Sequence, residues 1–354
     1  MQADPLWQHR WDATPTHVPA PDGSGVLHET PHGSTTSLAL LGPGGRVVEQ
    51  LPSIPHPAGG QVTFSVANAR YVAFAYSLTN GQAAAWRWAL YLFDRRTKQI
   101  TRVAQNPVDS HGQPRQGGWV RPVLTARYLY WITAAKTVPS GWGGSALEQY
   151  ELATGRTRTL YRGLTEAFVP YGSMVLYTGL VAHPPGVDTN TGQGAPETVY
   201  AVDQVTGRAV PPPAGITAGR DGAAEMQTDG DVIVWNAALG ALRAWRPAWH
   251  RSITLVPQNW EAGMKQGWGP PANPRIFDRF VISQPGPEFV YDLTTNSLAR
   301  LTSAADSVVA DVSGPYLSLA LSRTPTGVAH QRGEQEWDQY LVDLRGLPRL
   351  PRCG

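Results

Sequence analysis

The sequence predicts an all-β chain, a seven-bladed β-propeller of four-stranded antiparallel blades, on three observations. An aromatic-rich hairpin with an acidic residue at its turn recurs along the chain. An apolar strand precedes each hairpin, and a tight turn precedes each of those strands. Each register counts seven units, and a repeat of about 40 to 50 residues that folds as four strands is a propeller blade. One such sheet cannot bury both of its faces, whereas sheets stacked around a ring can.

Composition agrees with this. The 354 residues are 42% hydrophobic and 16% charged, with 37 Gly and 31 Pro. Punctuation that dense breaks long helices and favours short strands joined by turns. A net charge of +2 makes no electrostatic case for nucleic acid. One cysteine, Cys353, forms neither an internal disulfide nor a Cys-rich zinc site. No run of 18 apolar residues is present to span a membrane as a helix. Met1 to Pro5 has neither a basic nor an apolar signal region, so the chain reads as a cytoplasmic protein or as an exported one in mature form; extracellular or periplasmic is the expectation.

The hairpins come first. Ala89 to Asp94 turns through Arg95 to Lys98 into Gln99 to Val103, and the shape returns at Gln149 to Arg156, Tyr200 to Arg208, Tyr291 to Asn296 and Leu341 to Gly346. The acids Asp94, Glu151, Asp203, Asp292 and Asp343 are 57, 52, 89 and 51 residues apart. A carboxylate there accepts hydrogen bonds from turn amides, and the Gly or Asn that follows tolerates positive φ. The long gap holds a degenerate hairpin, Ala244 to Val256, and a seventh without the acid runs from Ser37 to Val48. Upstream lie the apolar strands, beginning at Val26, Tyr71, Tyr128, Met174, Val232, Phe280 and Tyr316. Several are continuously apolar, as a strand covered on both faces should be. The turns before them are Asp22-Gly23, Asn68-Ala69, Ala126-Arg127, Tyr171-Gly172, Asp229-Gly230, Asp278-Arg279 and Ser313-Gly314.

These registers divide the chain into an extension, 1–14, and a single propeller domain, 15–350, followed by a tail, 351–354. Blade bounds are placed at 15–55, 60–107, 117–164, 165–216, 220–258, 266–303 and 304–350. The alternative is six blades with an amino-terminal extension. The grammar resembles that of TolB-like and WD-repeat-like propellers, carried best by Pro21-Asp22-Gly23, Leu90 to Asp94, and Tyr291-Asp292 with Leu301-Thr302. The Gly-His and Trp-Asp marks of WD repeats are absent. The resemblance implies a rigid binding scaffold, often exported in bacteria, and no particular ligand.

Three motifs echo known chemistry. His28-Glu29-Thr30-Pro31-His32 satisfies a zinc-protease expression that needs both histidines on one helical face. Pro31 inside it argues for a strand, where residues four apart stand about 13 Å from each other. Asp188 to Gly192 echoes a calcium loop, with Val199 where a bidentate Glu belongs. Tyr200 to Arg208 resembles the quinoprotein-propeller element, with Pro211 in place of its closing Trp. No cofactor and no metal site is therefore expected.

Two residue sets remain. Trp86, Trp88, Trp142 and Trp268, beside Arg or Gly, are expected as surface recognition residues, against blade-to-blade packing as the plain reading. The inner strands should line a central channel and supply His17, Thr63, Trp119, Arg121, Glu166, Glu225, Arg275 and Asp306 at its mouth. Such a set can hold a ligand or pair among itself around a water-filled channel. The expected function is a non-catalytic binding module for a protein or glycan. A carbohydrate- or ester-active hydrolase or lyase using Glu166 or Glu225, and a self-assembling surface subunit, are the alternatives.

Overall fold

The computed structural model describes residues 7–11, 26–42, 46–55, 60–78, 87–115, 120–135, 145–163, 165, 167–179, 198–217, 223, 225–236, 241–257, 272–284, 289–300, 307–323 and 336–351. In chain order the strands are β1 (Trp7–Trp11), then β2 (Val26–His32), β3 (Thr35–Leu41) and β4 (Val47–Pro55). Next come β5 (Gln61–Ala67), β6 (Tyr71–Ser77), β7 (Trp88–Asp94) and β8 (Gln99–Gln105), and β9 (Val123–Leu124), β10 (Tyr128–Ala134), β11 (Ser145–Glu151) and β12 (Thr157–Gly163). The third quartet is β13 (Phe168–Tyr171), β14 (Met174–Gly179), β15 (Thr198–Asp203) and β16 (Ala209–Val210), followed by β17 (Glu225–Thr228), β18 (Ile233–Asn236), β19 (Leu242–Trp245) and β20 (Ile253–Val256). The last are β21 (Ala272–Phe277), β22 (Phe280–Gln284), β23 (Phe289–Asp292) and β24 (Ser297–Arg300), and β25 (Ser307–Ser313), β26 (Tyr316–Arg323) and β27 (Glu336–Asp343).

Each quartet β5–β8, β9–β12, β13–β16, β17–β20 and β21–β24 is one antiparallel sheet in sequence order, and a sixth sheet runs β1-β27-β26-β25. The architecture is a β-propeller of four-stranded antiparallel blades. Among the described residues six sheets have four strands, not the seven expected, and β2-β3-β4 is a sheet of three. The turn and inner strand read for that first unit, around His17 and Asp22-Gly23, lie outside the described residues. A second difference is at the chain's beginning. Strand β1, within the segment read as an extension, pairs antiparallel with β27 from Trp7↔Leu341 to Trp11↔Trp337. After Asp343 the chain makes a single 3-10 turn, Leu344–Gly346, in place of a return strand.

Packing between sheets follows the strict alternation of strand side chains. In β6 every residue is buried. Val72, Phe74 and Tyr76 pack toward the three-stranded sheet with Leu27, Leu38, Leu40 and Ile54. Tyr71, Ala73 and Ala75 pack the other way with Leu129 and Trp131. Strand β18 divides likewise, Ile233 and Trp235 toward β13–β16, Val234 with the preceding Val232 toward β21–β24. The second strands are thus the apolar layers, as their continuous sequences require. Outer strands such as β8 alternate between exposed and half-buried positions.

Candidate functional site

Hairpin acids fix the turns on one face of the ring. Asp94 accepts from the amides of Arg96 (2.8 Å) and Thr97 (3.3 Å). Asp203 accepts from the amides of Val205 and Thr206 and from the Thr206 hydroxyl, and Glu151 accepts from the Thr154 hydroxyl. In Asp203 the Thr206 amide and hydroxyl hold the carboxyl below its ordinary range. Three blades add an arginine from the turn between their first two strands. Arg70 reaches Asp94 at 2.9 Å, Arg127 reaches Glu151 at 3.1 Å and Arg279 reaches Asp292 at 3.4 Å. Each guanidinium also covers the ring that opens the second strand: Tyr71 at 4.8 Å, Tyr128 at 5.0 Å and Phe280 at 4.4 Å. Carboxylate, guanidinium and ring thus engage one another in each of the three blades, and this girdle organises the face.

Inside the girdle lies a cleft of about 480 Å³ lined by Gln227, Thr228, Asp229, Arg275, Ile276, Phe277, Asp278, Val312 and Gly314. Its walls are the ends of β17 and β21 and the turns that follow β17, β21 and β25. The volume falls in the range of small-ligand pockets. Asp229 and Asp278 are turn residues that sequence reasoning treated as structural, and Asp278 adopts a φ of +52°. Asp229 also accepts from the amides of Asp231 and Val232, which ties its carboxylate to the turn. A second, smaller cleft of about 360 Å³ sits on the outer rim between β8 and β12, with Trp131, Glu148, Thr159 and Arg162 in its lining.

Of the channel residues expected from the sequence, Thr63, Arg121, Glu225 and Arg275 are described. Arg121, two residues before β9, forms an ion pair with Glu225, the first residue of β17. Those two sheets are separated in chain order by β13–β16, so the side chains meet in the middle of the ring. Arg121 lies over the Phe64 ring at 5.5 Å, and its side chain is 35% exposed while that of Glu225 is 13% exposed. Arg275 stands apart from this pair, in the cleft on the turn-bearing face. Thr63 turns away and donates to the Ala75 carbonyl at 3.2 Å. His17, Trp119, Glu166 and Asp306 lie outside the described residues.

The tryptophans divide similarly. Trp86, Trp142 and Trp268 lie outside the described residues, as does the Asp188 to Gly192 loop. Trp88 is not a surface residue: it opens β7 opposite Ser77 and is only 2% exposed, packed with Leu90, Leu129 and Trp131 between two blades. The His28 to His32 motif lies on strand β2, not on a helix, with His28 and His32 the Cα partners of Ala39 and Thr35 of β3. Among the described residues no three His, Cys, Asp or Glu side chains come together, and no helix is long and apolar enough to cross a membrane.

No protein-family model matches the chain, and no curated protein matches it. Solved structures do. An oligogalacturonate lyase in complex with manganese is similar over 95% of this chain and 90% of its own, with a TM-score of 0.52 at 11% identity. The computationally designed Ika8 protein is similar over 93% of this chain and 98% of its own, with a TM-score of 0.50 at 10% identity. At such identities the likeness is one of fold alone, and it is the likeness of a β-propeller.

Proposed function

We propose that this chain is a propeller binding module, non-catalytic, which takes a protein or glycan partner at the turn-bearing mouth of its channel. The observation that supports it best is the pairing of Glu225 with Arg121 in the middle of the ring, on the strand, β17, that also carries Gln227 into the cleft. Among the described residues the group beside Glu225 is a cation, Arg121, the arrangement of a site that orients polar groups, rather than the second carboxylate of a two-carboxylate hydrolase. In this reading the three-stranded sheet is the seventh blade.

The second reading is a hydrolase or lyase with Glu225 as the base, beside a guanidinium that stabilises negative charge. One experiment separates the two. Wild type and Glu225→Gln are screened by thermal shift against a saccharide panel, and the same mixtures are assayed for product. A ligand at 100 times its Kd adds about 2.7 kcal/mol to stability, a readable shift. Stabilisation without turnover supports the binding module. Product formed by the wild type and lost in Glu225→Gln supports the enzyme.

A further inference from the structure

Neighbouring blades pack through equivalent side-chain positions, and one interface departs from the next. Three residues before the hairpin acids Asp94, Glu151 and Asp203 stand Tyr91, Glu148 and Tyr200. Their Cα partners on the second strands are Phe74, Trp131 and Tyr177. In two of these blades the pair is a stack of rings, Phe74 with Tyr91 at 5.4 Å and Tyr177 with Tyr200 at 5.6 Å. The second stack gains a third ring from the blade before it, Tyr161 of β12, 4.6 Å from Tyr177. Aromatic rings thus fill the outer wedge between β9–β12 and β13–β16.

Between β5–β8 and β9–β12 two of those three rings are replaced. Glu148 stands in the place of Tyr200. Ala104 stands in the place of Tyr161: each is paired with the residue four before its hairpin acid, Leu90 and Leu147, next to a register shift. Trp131 alone keeps a ring. The rim cleft of about 360 Å³ opens at this point, with Ala104, Trp131 and Glu148 all in its lining, and its volume is that of a small-ligand site. Trp131, Ala104 and Ala146 give it apolar walls, while Thr157, Thr159 and Arg162 bring polar groups from β12. Thr159 donates to Glu148 Oε1 at 2.9 Å and accepts from Arg162 Nη2 at 3.2 Å, which fixes the carboxylate.

The next interface shows what this wedge accommodates: flat rings, offset-stacked. A carboxylate accepts at several lone-pair positions, so Glu148 has capacity for a donor beyond Thr159. We propose that the rim cleft binds a small planar aromatic molecule carrying an N–H or O–H group, an indole or a phenol. Its ring takes the place that Tyr161 and Tyr200 fill one interface further on, and its donor turns to Glu148. This site lies on the outer rim and is independent of the channel.

The test is isothermal titration calorimetry of the full chain with two pairs of probes. Indole and 1-methylindole differ in the donor; 4-methylphenol and 4-methylcyclohexanol differ in planarity. Wild type is compared with Ala104→Tyr, which supplies the ring from the chain itself, and with Thr157→Trp, a change at an exposed position that covers the cleft; circular dichroism checks that each is folded. Indole and 4-methylphenol should bind the wild type in the millimolar range or tighter, and at least tenfold more weakly to each folded variant. The methylated indole and the cyclohexanol should bind the wild type at least tenfold more weakly than their counterparts. Should Ala104→Tyr fail to fold, Thr157→Trp decides alone. Equal binding of 4-methylphenol and 4-methylcyclohexanol would overturn the planar assignment, and equal binding of the two indoles the role of Glu148. No binding of any probe, or binding that both variants leave unchanged, would overturn the site.

Discussion

Replacing Asp292 should destabilise the protein more than any other single change at the hairpin acids. Asp292 is fully buried. Its Oδ1 accepts from the Thr294 amide at 2.9 Å and hydroxyl at 2.6 Å. Its Oδ2 accepts from the Leu350 amide at 3.1 Å and faces Arg279 Nε at 3.4 Å. Arg279 in turn donates to the Leu347 carbonyl at 2.8 Å, so this carboxylate also anchors the segment after the last blade. Removing one partner of a buried pair costs about 3–5 kcal/mol. Unfolding entropy of about 2.1 cal/mol/K per residue gives roughly 0.7 kcal/mol/K for a chain this size, so Asp292→Ala should lower Tm by about 5 °C.

The pH dependence has a definite sign. Burial pushes the Asp292 carboxyl up, but the Thr294 hydroxyl and amide, the Leu350 amide and Arg279 together hold it below its ordinary value. A group depressed in the folded state stabilises above its unfolded pKa, about 3.9, and loses that contribution as pH falls through the folded value. Scanning calorimetry of wild type and Asp292→Asn should therefore show a Tm gap that is widest near neutrality and narrows below about pH 4. A gap under about 1 °C at pH 7, or one that does not change on acidification, would refute this account of the site.

The pairing of β1 with β27 predicts that His9→Cys with Gln339→Cys, Cα partners in that ladder, will oxidise to a disulfide. Closing so long a loop stabilises by up to about 6 kcal/mol, and equal Tm values with and without reductant would argue against the pairing. Gln204 accepts from Tyr130 Oη at 2.9 Å and donates to the Gly172 and Met174 carbonyls, both at 2.9 Å. Gln204→Ala strands those groups between two blades and should cost about 2–3 kcal/mol in urea denaturation. Arg70→Met and Arg279→Met test the girdle by contrast. Arg70, 52% exposed, should move Tm by less than about 1 °C, whereas Arg279, 21% exposed beside a buried carboxylate, should lower it by several degrees; similar shifts would show that burial does not set the strength of these pairs.

What the sequence revealed depended on the distance over which each residue acts. The hairpin acids were legible because they bond to amides two and three residues away, as Asp94 does with Arg96 and Thr97. The second strands were legible because burial on both faces writes itself as an unbroken apolar run, as in β6 and β10. The arginine girdle went unread although a local signal exists, an Arg directly before the first aromatic of the strand at Arg70-Tyr71, Arg127-Tyr128 and Arg279-Phe280. Its acidic partner is 24 residues away in the first two cases, and only the fold brings it close. Trp88 was misjudged because its neighbour Arg87 suggested a surface, whereas register against Ser77 buries it. Arg121 and Glu225 were named from their strand positions, but their meeting is a property of the ring, which no spacing along the chain encodes.

Strand β1 has a consequence for biosynthesis. It is made well before its partner β27, which does not begin until Glu336. At about 5–20 residues per second, β1 waits roughly 15–65 s with its hydrogen-bonding edges unclaimed while six sheets assemble behind it. Until β1 docks, β25, β26 and β27 form a three-stranded sheet with an open edge, the kind of surface that recruits strands from other chains. Docking of β1 is thus a late step, and the interval before it is when nascent chains are most exposed to exchange of this strand with one another.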